Sequence, residues 1–265
     1  MRGYVRPEVA ERVFRDASGA VVDYGNRWDG GSPPEDAYPV VSHSERFAPL
    51  WVVADALVDH LATTYDVAVD DSPSVAADYV VAVPAVVRAV RVTPAAATAA
   101  PLTFALTPFP GVVVHAGLLH DTSFPGCGCD ACDETWQGAA EDLEELVSAV
   151  VGGRFGEQVT RAPRPWVRYA LADEHGRVRQ SGSSLATTVP AARRRRARTV
   201  LSRLGGPWHP WPRRGLAVRT SAVAGKWAVA GKWAVAGKWA VGGKWAVGGG
   251  GTAQDVREVE PESTI

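Results

Sequence analysis

The chain has 265 residues, 46% hydrophobic and 22% charged, with a formal net charge of -1. That is ordinary globular usage with enough apolar material for a core, which excludes a collagen-like fibre and a disulfide-stapled module. No apolar run reaches the roughly 20 residues that span a bilayer; the best one, from Val80, is cut by Pro84, Arg88, Arg91 and Pro94. The opening MRGYVRPEVAERVF lacks the apolar centre of a signal peptide, so a cytoplasmic setting is expected.

Pro7 suits a first helical turn and Gly19 the position past a last one, so a short helix is expected near residues 7–17. Residues 23–41, rich in Gly, Pro, Asp and Ser, read as a long surface loop. Ser42 and Glu45 have capping-box spacing, and Phe47, Leu50, Trp51, Ala54, Leu57, Val58 and Leu61 then recur at helical spacing. A helix over about 45–64 follows, with Pro49 in its first turn. Strands are expected over 86–93, 102–107 and 112–119, the last two joined by a turn at Pro108–Gly111. A second long helix is expected from about Glu134 to Val151, stopped by Gly152 and Gly153. Strands at 166–171 and 177–183 flank an Asp-Glu-His-Gly turn. This order argues for an α+β domain over residues 1–185: an antiparallel sheet of about five strands packed against two long helices.

Charge divides the chain. Residues 1–160 hold 9 Lys and Arg against 23 Asp and Glu, a net of -14; residues 161–220 hold 14 against 2, a net of +12. From residue 186 to 265 the expectation is a basic, disordered tail. It contains AVAGKW three times from Ala222, then AVGGKW from Ala240. Arg193–Arg196, Trp208, Trp211 and the four Lys-Trp pairs interleave cations with aromatics. That mixture suits nucleic acid or an anionic surface.

The segments RFAPLWVVADALVDHLATTYDV, from Arg46, and FPGVVVHAGLLHDTSFPGCGCDACDE, from Phe109, resemble an actinobacterial domain family of unknown function over about residues 1–185. The resemblance implies a bacterial cytoplasmic protein and carries no catalytic residue.

Chemistry concentrates at Cys127, Cys129 and Cys132, a C-x-C-x-x-C run. With His120 they supply the donors of a tetrahedral Cys₃His zinc site, whose closed shell would be structural. His115, Asp130 and Asp133 are weaker fourth ligands, and crowding by Asp130, Asp133 and Glu134 favours a bound cation over a free nucleophile. Cys132, just before a helix, also suits thiol chemistry, and three partly buried thiols in a tight Gly-rich loop, without a ligand, are the plain alternative. No G-x-S-x-G elbow, P-loop or H-E-x-x-H motif is present, and the Asp55/Asp59 pair reads as a solvated helix face. The sequence therefore points to a binding or interaction module with a structural zinc knuckle. A metal- or thiol-dependent enzyme at the same loop is the alternative, and nucleic-acid binding by the tail is a separate one.

Overall fold

The computed structural model describes residues 1–81, 83, 85–160 and 165–215. Strands β1 (Val67–Asp71), β2 (Arg88–Pro94), β3 (Leu102–Leu106), β4 (Val112–Ala116) and β5 (His120–Phe124) form an antiparallel sheet in chain order. Side chains alternate across a strand, so registered residues share a face. Val90, Phe104 and Val114 lie side by side on one face, as do Val92, Leu102 and Ala116. Helices α1 (Pro49–Thr64) and α2 (Trp136–Val151) share one buried core with this face.

The other face carries a polar row: Asp70, Arg91, Thr103, His115 and Asp121 stand in register across all five strands. The connection from β1 to β2 folds over this row. Asp78 accepts Arg91 at 2.6 and 2.8 Å and the Thr103 hydroxyl at 2.7 Å. The buried Tyr79 hydroxyl is shared between the Thr103 and Val113 carbonyls. Asp121 accepts the Val80 and Val81 N–H groups and faces His115 Nδ1. Six side chains, those of Asp78, Tyr79, Arg91, Thr103, His115 and Asp121, thereby find partners on one surface.

Strands β6 (Phe155–Val159), β7 (Trp166–Ala172) and β8 (Val178–Leu185) form a second antiparallel sheet, and α3 (Ala191–Leu204) lies against β6. Beyond α3, residues 207–214 run across the first core. Trp208 and Trp211 are buried in it, and their backbone N–H groups bond to Phe155 O and Val151 O.

The α+β class and the antiparallel sheet agree with the sequence reading, but its five strands belong to two different sheets. Residues 112–119 are not one strand, because Gly117 at φ +69° turns the chain back into β5. No helix forms near residues 7–17. Asp16 instead accepts the Ser18 and Ala20 N–H groups, Gly19 turns at φ +87°, and Arg15 bridges Val21. Val13 is 69% exposed, and Phe14 packs against Tyr24 and His43 from an irregular chain rather than from a helix face. Ser42 does not cap α1, which starts only at Pro49 behind a 3-10 turn over Ser44–Phe47; the Ser42 N–H is instead taken by Asp130 Oδ1. The expected boundary at 185 and the disorder after it fail for residues 186–215, which hold α3 and two core tryptophans. The repeat lies outside the described residues. Among the described residues no helix is long and apolar enough to cross a membrane.

Candidate metal centre

The cysteine loop runs from the end of β5 to Thr135, whose side chain caps α2 by accepting the Gly138 N–H at 3.1 Å. Glu134 turns back and accepts the Gly126 and Cys127 N–H groups at 2.9 and 2.8 Å. The base of the loop is thus closed by one carboxylate. Gly128 has no space for a side chain, since a Cβ would lie 2.4 Å from the Phe109 ring. This tight path brings the three sulfurs within 4.8 Å of one another, with Cys127 and Cys129 at 3.2 Å. Three thiolates around zinc at about 2.3 Å sit about 3.8 Å apart, so the donor set fits a thiophilic ion with sub-ångström adjustment. Cys129 is buried, whereas Cys127 and Cys132 are exposed.

The long loop over residues 23–43 is stitched to these cysteines. The Asp130 and Ala131 N–H groups bond to Val40 O and Ala37 O. Trp28 Nε1 donates to Asp130 O at 3.2 Å, and Trp28 and Ala37 pack on Cys129 and Ala131. Asp130 Oδ2 meets Arg27 Nη1 at 2.9 Å, and Asp133 Oδ2 accepts the Arg27 N–H at 2.8 Å. Arg46, buried against the Tyr24 and Phe47 rings, donates to Gly128 O at 3.0 Å.

These contacts change the electrostatic reading. The neighbouring anions are already answered by the protein. Burial opposes ionisation of Asp130, but the Ser42 hydrogen bonds and Arg27 outweigh it and hold its pKa below the ordinary value. Burial raises Glu134, against the Cys127 and Gly126 N–H groups it accepts. Anion crowding therefore adds nothing to the case for a cation, which rests on the thiols. Burial and the neighbouring sulfurs push the Cys132 thiol up to about 12. Cys129 is lowered despite burial, by hydrogen bonds from Cys127 and Cys132.

His120 is not brought to the sulfurs, which alone form the candidate ligand group. It begins β5 at the end away from the loop, pairs with Ala116, and stacks on Tyr169 with ring centroids 3.9 Å apart. Its Nε2 bonds the Thr122 hydroxyl at 2.6 Å. His115 is engaged with Asp121 on the polar row. Sequence reasoning missed Arg27 and Arg46, whose partners are far along the chain: Arg27 and Asp133 are 106 positions apart, Arg46 and Gly128 are 82. Local spacing carries no signal for such pairs. A groove of about 430 Å³ beside the loop is lined by Phe14, Tyr24, Arg46, Val52 and Trp136, and by none of the cysteines.

One family model matches the chain, over residues 10–215, and it describes a family of unknown function. The match runs past the expected boundary at 185 and ends with the last described residue. No curated protein and no solved structure matches.

Proposed function

The chain belongs to DUF6226, a family without an assigned activity, and on the geometry alone we propose that it is a binding module built around a three-thiolate metal centre. Cys127, Cys129 and Cys132 hold the ion, zinc being the first choice for a soft donor set without redox demands. The single observation that carries this reading is the convergence of three sulfurs within 4.8 Å on a loop closed by Glu134. The role is structural. The loop that holds the ion also holds residues 23–43, a stretch whose only regular element is the short 3-10 turn Glu35–Ala37. His120 is not a ligand in this reading, so a bound ion would have a fourth coordination position without a protein donor. That open position favours a second reading, a metal-dependent enzyme, because catalytic zinc keeps a free site. Against it stands the groove, which none of the cysteines lines.

Elemental mass spectrometry of untagged full-length protein purified without chelator tests the centre. The expectation is near-stoichiometric zinc, lost in Cys129→Ser. Chelation should then open residues 23–43 to protease while β3 and β4 stay protected. Metal-free folded protein, or zinc retained in Cys129→Ser, would remove the proposal.

A further inference from the structure

Helix α3 contains six arginines, and the structure separates them by task. Arg193 donates to the Asp78 and Tyr79 carbonyls, and Arg194 to those of Ala186 and Val189. These two fix the helix to the body, and the partly buried Arg198 reaches the Thr160 carbonyl at 3.5 Å. Arg195, Arg196 and Arg203 are exposed and form no ion pair among the described residues. Thr199 and Ser202, also exposed, share their side of the helix at helical spacing. The surrounding segment 161–220 has 14 Lys and Arg against 2 acidic residues, so no counter-charge lies nearby in sequence.

We infer that the outer face of α3 binds the phosphate backbone of nucleic acid without reading its sequence. Its chemistry separates this partner from two others. A membrane-surface helix needs a free apolar face. The apolar side of α3, with Ala197, Leu201 and Leu204, is packed into the two cores. A protein interface is anchored by buried aromatic or aliphatic groups, and this face offers only guanidinium and hydroxyl groups. Phosphates require nothing else. Arg196 and Arg203 are seven residues apart, about 11 Å along the helix, or about three base steps of B-form DNA. The inference stands independently of the metal centre.

Fluorescence anisotropy of the full chain with a labelled 20-base-pair duplex, from 50 to 200 mM salt, tests it. Each phosphate contact contributes about -0.9 to the slope of log affinity against log salt. The triple variant Arg195→Ala/Arg196→Ala/Arg203→Ala should therefore flatten the slope by about 3 and weaken binding at least about tenfold at 50 mM. All three side chains are exposed, so thermal unfolding should not move. Each single Arg→Gln replacement should give about a third of the change in slope. Replacing Lys226, Lys232, Lys238 and Lys244 by Ala separates the tail from the helix. Three outcomes overturn the inference: a slope unchanged in the arginine variant, affinity lost only in the lysine variant, or binding to phosphatidylserine vesicles but not to the duplex.

Discussion

His120 and Gly117 show what single residues contribute to the hairpin of β4 and β5. His120 stacks between its strand and Tyr169, and burial pushes its pKa down to about 4, with His115 adding to the effect and Asp121 opposing it. The unfolded chain takes up a proton near the ordinary value of about 6.5, and the folded chain does not until about 4. The unfolded state thus binds more protons in that window, so stability is full above it and is lost as pH falls through it. From pH 7 to pH 5 the loss from this residue should be about 2 kcal/mol, read from urea midpoints. His120→Gln should abolish that part of the pH dependence. A histidine resonance titrating near 6.5 at this position would refute the argument. Gly117 meets a different constraint. A Cβ there would lie 2.1 Å from Oε2 of the buried Glu157, which holds the Leu118 and Leu119 N–H groups and Trp208 Nε1. Gly117→Ala should cost about 3 kcal/mol or more, combining the positive φ with displaced hydrogen bonds. Gly205→Ala, at φ +67° with open space around it, should cost only about 1 kcal/mol. Equal costs at the two sites would mean that Glu157 moves freely. The same hairpin explains why only part of the candidate site is legible in sequence. Three thiols within six residues are gathered by local loop closure. His120 is seven residues from Cys127, but strand β5 intervenes and carries the chain away at about 3.3 Å per residue.

Among the elements, α1 and α2 are the legible ones, because their apolar residues recur at the helical period and are the residues that become buried. The central strands are legible for the matching reason, with β3 buried at every position. What escapes is whatever breaks its own pattern. Strand β1 is an edge strand, exposed from its second residue on, and ends in two aspartates. Strand β6 carries the buried Glu157 in its middle. Helix α3 has only a short apolar stripe, Ala197, Leu201 and Leu204. It is held by arginine donors on backbone carbonyls, an attachment that looks in sequence like a solvated charge run. The stretch near residues 7–17 errs in the opposite direction: it has helical punctuation at both ends, but Asp16 and Gly19 close a turn there and Phe14 packs on Tyr24 and His43 from an irregular chain.

At the scale of the molecule, the charge boundary near residue 160 and the structural boundary do not coincide. The net of -14 over residues 1–160 and of +12 over residues 161–220 suggests an acidic domain with a separable basic extension. The structure joins them instead. Trp208 and Trp211 are 3% and 4% exposed within the core that α1, α2 and the first sheet build. Trp208 Nε1 bonds Glu157, and Trp211 Nε1 donates to Ala100 O. The chain around them zips along the body, with His209 bonded to Thr98, Asp66 to Pro212 and Arg214 to Thr64. Losing one core tryptophan costs about 3–5 kcal/mol, and a whole domain has about 5–15 kcal/mol to lose. Removing both, together with α3, should exceed that margin. It would also strip Glu157 of one of its three donors inside the core, leaving a buried carboxylate less well satisfied. A chain ending at Ser184 should therefore fail to show a cooperative thermal transition. A chain ending at Gly215 should unfold like the full-length protein. If the shorter chain unfolds cooperatively at the same temperature, the tryptophan strap is an ornament on an independent acidic domain, and the boundary near 185 is restored.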